Sequence, residues 1–197
     1  MFAITERLFL RPLWPEDAPS LARHLGNWSV AGTLGRSPWP YALDDAESFI
    51  AEQRAEDVCT SAAIFLRTSG GPVHVGGIGF RPDGDELKPL PELGFWIAES
   101  HWGQGIAVEA GRAVLEYAFL GHDIPVMCAG HYADNPNSGR VLEKLGFRAT
   151  GEILAYPSVP RGCIVDSVEY ELTREDWRAA HHERASNVGL DAGQVAA

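Results

Sequence analysis

The sequence predicts a single mixed α/β domain of the α+β kind, in which helices flank a mostly antiparallel central sheet. Its 197 residues suffice for one substantial core and are too few for two ordinary domains. Apolar residues make up 45% of the chain, which excludes a disordered chain, and no run of about 20 apolar residues indicates a membrane span. Segments with strand periodicity and segments with helix periodicity both occur, which favours a soluble protein built of packed layers.

The first half of the chain shows four strand patterns and two helix patterns. Carboxylates gather in the first turn of each helix segment, where they favour the positive end of the helix dipole. A Gly-Gly pair and the polar segment PDGDELK separate the last three strands, which indicates an antiparallel meander. In chain order we predict a strand over 4–13, helices over 16–25 and 44–58, and strands over 61–67, 73–81 and 90–98.

The segment 27–41 between the two helices is rich in aromatic residues. It carries Trp28, Trp39 and Tyr41 among glycines and prolines, so we predict a loop. Two interpretations of these side chains stay open. They line a substrate pocket, or they form a small satellite core.

The second half of the chain alternates helices with strands. The clearest helix is predicted over 103–120, where apolar residues recur at helical spacing and Gly121 marks the end. A proline at its start and Gly146 after its end mark a shorter helix. We predict this helix over 136–145, strands over 124–132, 147–156 and 164–172, one domain over 1–184 and a frayed tail over 185–197.

The net charge of −11 favours cationic partners over nucleic acid. Nonspecific phosphate binding needs a basic face, and the chain has only 16 lysines and arginines against 27 acids. Neither a nucleic acid nor a membrane is therefore expected as a partner, while a homodimer stays open.

The spacing of the cysteines bears on the cellular location of the protein and on whether it binds a metal. Cys59, Cys128 and Cys163 lie at least 35 positions apart, which fits neither a disulfide framework nor a CxxC metal site. Glu6 and Arg7 interrupt the first apolar stretch, so no export signal is expected. The cytoplasm is the expected location, and no bound metal is expected.

Gly103 and Gly105 lie between a predicted strand and the strongest predicted helix. Glycine permits close approach of the backbone to a ligand, and the free N–H groups of a first helical turn can hold an anion. The segment is therefore a candidate phosphate-binding loop, although two glycines before a helix also occur in ordinary turns. Val108 stands where a dinucleotide fingerprint would have its third glycine, so that fold is not indicated.

Two segments, ELGFWIAESHWGQGIAVEAGRAVLEYAF at 92–119 and ADNPNSGRVLEKLGFRATGE at 133–152, together resemble the GNAT superfamily of acetyl-CoA-dependent N-acetyltransferases. Within it the chain is most similar to the RimJ/RimL-type branch, the ribosomal-protein alanine and serine N-acetyltransferases. The resemblance extends from ERLFLRPL at 6–13 to LTREDW at 172–177. It implies the GNAT fold, with a central sheet that splays at an acetyl-CoA groove.

The resemblance also implies which parts of the chain bind acetyl-CoA. The strand backbone bonds the pantetheine arm as an added strand would, the glycine loop faces the pyrophosphate, and Asn135 contacts the arm near the thiol. Arg140 and Lys144, one helical turn apart, either reach outlying phosphates or form a solvated helix face. The cosubstrate-binding residues implied in this way are Phe95, Trp96, Ile97, Trp102, Gly103, Gln104, Gly105, Ile106, Ala107, Asn135 and Arg140.

Glu92 and Ser138 are the catalytic residues that the resemblance implies. Ser138 matches the serine that the family is thought to use to protonate the leaving thiolate. Because a hydroxyl is a weak acid, we favour a hydrogen bond to the thiolate or a proton relay from water. The alternative is that Ser138 caps the helix. Glu92 matches the strand glutamate that takes the amine proton through water, or it merely binds the ammonium. Leu142 stands where many members have a tyrosine acid. His101 and His131 are weaker candidate bases.

The implied activity is transfer of an acetyl group from acetyl-CoA to a primary amine by direct attack in a ternary complex. A protein N-terminal α-amine is the leading acceptor, because its deprotonation at pH 7 costs about 1–1.4 kcal/mol, against about 4.6 kcal/mol for a lysine amine. The alternatives are a small cationic amine, such as a polyamine or aminoglycoside, and a noncatalytic acyl-CoA-binding module.

Overall fold

The computed structural model describes residues 1–55 and 60–191, and within them eight strands form one open sheet. The strands are β1 Ala3–Ile4, β2 Leu8–Arg11, β3 Ser61–Thr68, β4 Gly71–Arg81, β5 Glu92–Ile97, β6 Val126–Tyr132, β7 Arg148–Ser158 and β8 Cys163–Thr173. The α-helices are α1 Ala18–Leu25, α2 Trp28–Ala31, α3 Leu43–Ala55, α4 Ile106–Gly121, α5 Pro136–Leu145 and α6 Arg174–Asp191. The sheet order is β1-β2-β3-β4-β5-β6-β8-β7, and only the β5–β6 pair among these is parallel. The predicted mixed fold with its β3–β4–β5 meander is confirmed.

The predicted strand over 4–13 is two short strands, β1 and β2, joined by a turn that begins at Thr5. The Thr5 hydroxyl accepts a hydrogen bond from Leu8 N at 3.0 Å, and Thr5 N donates to Leu8 O, also at 3.0 Å. These bonds fold the chain back, so β1 pairs antiparallel with β2 instead of continuing it. The strand pattern could not show this turn, because threonine also fits a strand.

Two helices lie where the sequence analysis predicts none. α2 occupies four residues of the predicted aromatic loop, and its N-cap Asn27 accepts a hydrogen bond from Ser29 N at 3.0 Å. Asparagine is a favoured N-cap, so this signal was available in the sequence. α6 follows the last strand and continues into the predicted tail. Residues 56–59 and 192–197, which include the end of the helix predicted over 44–58 and also Cys59, lie outside the described residues.

Helices cover both faces of the sheet. α4 and α5 bury Ile106 and Leu142 against one face, in a core that also contains Leu93 and Ile97 of β5. α1, α2 and α3 form a second apolar cluster, which Trp96 contacts. Because side chains alternate along a strand, Trp96 lies on the face opposite Leu93 and Ile97. β5 therefore presents side chains to both helix layers.

The sheet opens between its parallel strands, β5 and β6. Glu92 pairs with Cys128, and Cys128 N donates to Pro91 O at 2.8 Å, but no other residues of these two strands are paired in the described structure. By contrast, β4 and β5 pair at six positions. β5 and β6 therefore diverge toward Ile97, and this gap is the splay that the sequence analysis predicts.

A buried ion pair fixes the turn from β2 into α1. Arg11 donates to both carboxylate oxygens of Asp17, at 2.6 Å from Nη1 to Oδ2 and at 2.9 Å from Nη2 to Oδ1. The guanidinium lies between the rings of Trp14 and Phe65, 4.0 and 4.2 Å from their centroids. Burial raises the pKa of Asp17, but the hydrogen bonds from Arg11 and from Trp14 N outweigh it and hold the pKa below the ordinary value of 3.8. The pair is therefore ionised at neutral pH.

We predict that Asp17→Asn lowers the free energy of unfolding by about 3–5 kcal/mol near pH 7, because it leaves the buried Arg11 charge without a partner. The pKa of Asp17 is lower in the folded chain. Its stabilising contribution is thus fully present above the unfolded pKa of about 3.9 and is lost as the pH falls through the folded value. Urea unfolding at about pH 7, 5 and 3 measures both effects. Glu16→Gln, which removes an exposed carboxylate of the same turn, is the control. If wild type and Asp17→Asn differed by the same free energy of unfolding at all three pH values, the assignment would be contradicted.

Candidate active site

The gap between β5 and β6 leaves backbone groups of β5 open. Ala98 N donates to Val75 O of β4 at 2.8 Å, and backbone groups point alternately to the two sides of a strand. The N–H and C=O groups of Phe95 and Ile97 therefore point toward the gap, whereas those of Trp96 point toward β4. An open ladder is present at Phe95 and Ile97, and the Trp96 backbone is directed away from it.

The loop before α4 has the backbone of an anion-binding turn. Gly103 and Gly105 have φ angles of +72° and +76°, a left-handed conformation that favours glycine. Gly105 is the N-cap, and Glu109 N donates to its carbonyl at 3.1 Å. The amides of Ile106 and Ala107 come before this first bond and so have no intrahelical partner. A Cβ atom on Gly103 would meet nothing within 4 Å, so this side of the loop is open.

Two side chains attach this loop to the segment that lines the gap. The Trp102 indole Nε1 donates to Ile97 O at 2.7 Å, at the end of β5. Gln104 Nε2 donates to Ser100 O at 3.3 Å. The Trp102 bond occupies the last carbonyl of the open edge, so the loop and the edge form one continuous backbone surface.

Asn135 and Ser138 lie at the start of α5 and are hydrogen-bonded to each other. Asn135 Nδ2 donates to Ser138 Oγ at 3.0 Å, and both residues are half-buried. Because the Ser138 oxygen accepts this bond, its own proton is available for another acceptor. Leu142 is 1% exposed and belongs to the main core. The position of the family's tyrosine acid is thus packed inside this protein.

The remaining predicted polar residues near α5 have local contacts. Arg140 and Lys144 are exposed, and Arg140 Nη1 donates to Asn137 Oδ1 at 2.8 Å. His131 Nδ1 is hydrogen-bonded to Tyr132 O at 2.8 Å, next in the chain. Their contact with a phosphate or with an amine stays a prediction.

Glu92 lies in a cluster of charged side chains. Its Oε2 accepts hydrogen bonds from Arg81 Nη2 at 2.6 Å and from Arg36 Nη2 at 3.1 Å. Its Oε1 lies 3.0 Å from Lys88 Nζ. Cations therefore bind both carboxylate oxygens of Glu92, and the sequence analysis had identified none of these three partners.

Lys88 connects two strands across the gap. Its side chain is 6% exposed, and its Nζ lies 3.1 Å from Oε2 of Glu169 on β8, in addition to its contact with Glu92. The Nζ is also 4.7 Å from the ring centroid of Tyr156. A Cβ atom on Gly130 would lie 2.6 Å from this Nζ, so a glycine leaves the necessary room. Burial lowers the pKa of Lys88, but the two carboxylates outweigh it and raise the pKa above 10.5, so Lys88 cannot take a proton from an amine at neutral pH.

The polar segment PDGDELK, which the sequence analysis used only to separate two strands, supplies part of this cluster. Asp85 Oδ1 accepts hydrogen bonds from Leu87 N at 2.9 Å and from Lys88 N at 2.8 Å, which fixes the turn. Its Oδ2 accepts from Tyr156 Oη at 2.7 Å and from Arg81 Nη2 at 3.2 Å. Burial raises the pKa of Asp85, but these bonds outweigh it and hold the pKa well below 3.8. The aspartate that shapes the turn thereby anchors Arg81 beside Glu92.

A cavity of about 1030 Å³ opens on the α1–α3 side of β5. Its lining includes Arg36, Tyr41, Phe49, Glu92, Gly94 and Trp96. A Cβ atom on Gly94 would meet nothing within 4 Å, so the cavity reaches the strand itself. Tyr41 lines the cavity and also packs against the second apolar cluster, whereas Trp28 and Trp39 pack against each other with ring centroids 4.9 Å apart. Burial raises the pKa of Tyr41 to about 12, so its hydroxyl is neutral.

No group of three or more His, Cys, Asp or Glu side chains could hold a metal ion within the described residues. His101, a weaker candidate base, is hydrogen-bonded through Nδ1 to Ser100 Oγ at 2.9 Å. None of the described helices is both long enough and apolar enough to cross a membrane.

Comparison with known proteins gives one family. The family described as Acetyltransferase (GNAT) domain matches residues 7–148. YdaF of Bacillus subtilis (strain 168), provisionally named a ribosomal N-acetyltransferase, is 30% identical over 185 residues, which cover 88% of this chain and 95% of YdaF. The fold resembles RimJ of Mycobacterium smegmatis in complex with CoA-disulfide, with a TM-score of 0.73 and 24% identity over 91% of this chain and 89% of RimJ. It also resembles spermidine N-acetyltransferase of Vibrio cholerae in complex with CoA and spermine, with a TM-score of 0.70 and 17% identity over 88% and 99% of the two chains.

A splayed sheet followed by a glycine loop at the head of the next helix is the arrangement expected of an acyl-CoA-dependent transferase. The chain belongs to the GNAT family of N-acetyltransferases, which confirms the prediction from sequence. Its similarity to YdaF and RimJ agrees with the RimJ/RimL-type branch. Members of the family use acetyl-CoA and act on amines.

We predict that Lys88→Met lowers the free energy of unfolding by about 3–5 kcal/mol, because Glu92 and Glu169 lose the cation they share. Denaturant unfolding measures the loss. Adding Glu169→Gln should recover part of it, since Glu169 then no longer carries a buried charge without a cation, whereas Glu92 keeps Arg81 and Arg36. Lys144→Met, at an exposed position of α5, is the matched control and should change stability by less than about 0.5 kcal/mol. Equal losses in the two single lysine variants would contradict the assignment.

Proposed function

We propose that this chain transfers the acetyl group of acetyl-CoA to the α-amine at the N-terminus of a protein. The observation that carries the proposal is the position of the gap: the sheet opens where the cavity on its α1–α3 side reaches Glu92 and Gly94. A cosubstrate on the α4–α5 side and an acceptor in the cavity would meet at this opening. Each would approach from its own face, as direct transfer in a ternary complex requires.

The residues on the α4–α5 side fit acetyl-CoA, which supplies the acetyl group as a thioester. We assign the pyrophosphate to the loop over 103–107, where free amides and the helix dipole favour an anion and glycine leaves room for it. The open N–H and C=O groups of Phe95 and the open N–H of Ile97 suit the amides of a pantetheine arm, since Trp102 already occupies the Ile97 carbonyl. Asn135 is assigned to the same arm, and Arg140 to an outer phosphate. Trp102 holds the loop to the open edge.

Trp96 is assigned to the other side of the strand. Its backbone is directed to β4, and its indole lies among α1 residues, with the ring centroid 5.9 Å from that of His24. It also lines the cavity. We therefore place Trp96 at the wall of the acceptor site, in contrast to the cosubstrate role expected from its position in the ELGFWI motif.

Glu92 is proposed to act on the amine proton through water. It lines the cavity at the gap, but cations bind both of its oxygens, so direct transfer to Glu92 would have to displace one of them. An intervening water avoids this displacement. The α-amine needs little assistance from a general base, because its deprotonation at pH 7 costs only about 1–1.4 kcal/mol.

Ser138 is proposed to stabilise the departing thiolate. Asn135 Nδ2 donates to its oxygen, which orients the hydroxyl proton away from Asn135. A hydrogen bond to the sulfur becomes stronger as negative charge develops there, so it favours the transition state over the ground state. Asn135 positions the hydroxyl in this arrangement.

The charges of the cavity favour an N-terminal peptide over a polyamine. Arg36 and Arg81 flank Glu92, and their side chains are 52% and 33% exposed. They would repel the additional ammonium groups of a polyamine, whereas the carbonyl beside an α-amine could accept a hydrogen bond from Arg36. A small cationic amine is the second candidate, because Asp45 and Glu52 also line the cavity.

The proposal includes a cytoplasmic location, which rests on the cysteine spacing. The assembly stays open between a monomer and a homodimer, and light scattering of the purified protein distinguishes them.

We predict turnover with peptides that have a free N-terminus when the protein is incubated with acetyl-CoA and free thiol is followed. The matched peptides with blocked N-termini should give none, because their amine is removed and all other contacts remain. A panel of polyamines and aminoglycosides completes the experiment. Turnover with that panel alone would favour the second candidate, and coenzyme binding without turnover on any amine would favour a noncatalytic module.

We predict that Ser138→Ala lowers kcat by about 10²-fold and leaves the Kd for CoA within about twofold, because the hydroxyl acts on charge that develops only during the reaction. Steady-state kinetics and calorimetric titration with CoA measure the two quantities. Glu143→Gln, at an exposed position of the same helix, is the control. Unchanged turnover in Ser138→Ala would show that the hydroxyl only caps the helix.

A further inference from the structure

Arg7 connects the start of the chain to the loop before α4. Its Nε donates to Glu109 Oε2 at 2.7 Å, its Nη2 lies 2.7 Å from the same oxygen, and its Nη1 donates to Gln104 O at 3.0 Å. The Arg7 backbone N–H donates to Glu109 Oε1 at 2.8 Å, and the Thr5 hydroxyl donates to that oxygen at 2.5 Å. All three guanidinium nitrogens thus have partners within the protein.

The bond from Arg7 to Gln104 O determines how one peptide unit of the loop is oriented. In a trans peptide the C=O and N–H groups point in opposite directions. Since Gln104 O points to Arg7, the N–H of Gly105 points to the opposite side of the loop. Gly105 has a φ angle of +76° and its exposed backbone has room to turn, so without Arg7 the peptide could rotate. Rotation would direct the carbonyl oxygen, with its partial negative charge, toward the side where an anion would bind.

Arg7 also balances the charge of Glu109. Glu109 lies in the first turn of α4, where a carboxylate opposes the binding of a second anion even though it suits the helix dipole. Burial raises the pKa of Glu109, but the hydrogen bonds from Thr5 and Arg7 outweigh it and hold the pKa below 4.5, so the carboxylate is charged at neutral pH. The Arg7 guanidinium cancels this charge beside the loop.

We propose that Arg7 is a positioning residue of the phosphate-binding loop: it fixes the Gln104–Gly105 peptide with the Gly105 N–H directed at the coenzyme pyrophosphate, and it does not bind phosphate itself. The inference rests on the proposed function, since it concerns the same loop. It assigns a role to the ERLFLRPL segment, which the proposed reaction leaves unused.

The test is calorimetric titration of the full chain with CoA. We expect Arg7→Gln to raise the Kd for CoA by about tenfold or more, because a charge-assisted hydrogen bond at the loop is lost. Arg7→Lys retains the positive charge but lacks the second donor that reaches Gln104 O, so we expect it to bind CoA as weakly as Arg7→Gln does. Restoration of wild-type affinity by Arg7→Lys would show that charge alone suffices and would overturn the positioning role.

Arg67→Gln is the matched control. The Arg67 Nη1 donates to Thr5 O at 3.1 Å and to Glu6 O at 3.4 Å, so it holds the same N-terminal segment without contact to the loop. We expect its Kd for CoA to stay within about twofold of wild type. An equal loss of affinity in Arg67→Gln and Arg7→Gln would mean that Arg7 acts through the stability of the segment.

An acetyl donor without the pyrophosphate distinguishes an effect on the loop from an effect on the rest of the site. S-acetylpantetheine lacks the pyrophosphate, so Arg7→Gln should lower kcat/KM for acetyl-CoA and leave that for S-acetylpantetheine unchanged. Equal losses with both donors would overturn the inference. Wild-type protein that binds no CoA would refute the proposed function instead, whereas wild-type and Arg7→Gln proteins that bind CoA equally would refute only the role of Arg7. Thermal unfolding of each variant confirms that folded protein is compared.

Discussion

Lys88 places one buried ammonium between Glu92 on β5 and Glu169 on β8, and this interaction joins strands that backbone bonding leaves apart. β5 and β6 share a single residue pair, so the ladder contributes little at the gap. The bridge passes β6 at Gly130, where a side chain would collide with the ammonium. A groove requires unpaired backbone groups, and a defined site requires strands that are held in place. In this protein the short pairing of β5 with β6 leaves the backbone groups unpaired, and the Lys88 bridge holds the strands.

The same gap explains how the two faces of the sheet can bind different substrates. Unpaired amides and carbonyls are costly in a closed interior, but at an open edge they can be bonded by water or by a ligand. The loop at Gly103 and Gly105 extends this edge on the α4 side, and the cavity at Gly94 reaches it from the other side. The thioester and the amine can therefore be recognised by different parts of the chain, so the acceptor pocket can differ among relatives while the coenzyme groove stays the same.

The features that could be predicted from the sequence are those that depend on residues close together in the chain. Gly103 and Gly105 indicated the loop, and Pro136 and Gly146 indicated α5, because these residues act through local backbone conformation. The roles expected of Asn135 and Ser138 came from the resemblance to the family. The partners of Glu92 are different, because Arg36 and Glu169 lie 56 and 77 positions away from it in the chain. No periodicity records such a contact. The segment containing Asp85 and Lys88 was correctly taken as polar, but these two residues belong to a partly buried cluster whose members come from four separate stretches of chain. The helix α6 was missed because its composition is strongly polar, with few apolar residues to mark one face.

The position of β8 has a consequence for synthesis. β8 follows the other seven described strands along the chain, yet it lies between β6 and β7, so β7 has no neighbour in the sheet until β8 has emerged. Glu169 arrives with that same strand. Before it does, the ammonium of Lys88 lacks its second carboxylate, and the strands beside the gap are held by the single pair of Glu92 and Cys128. A ribosome that stalls before this point would hold a chain whose coenzyme loop is already complete in sequence while its sheet is not, with β7 unpaired and able to associate with other chains. The emergence of β8 thus decides whether a nascent chain completes its sheet or leaves an unpaired strand that can aggregate.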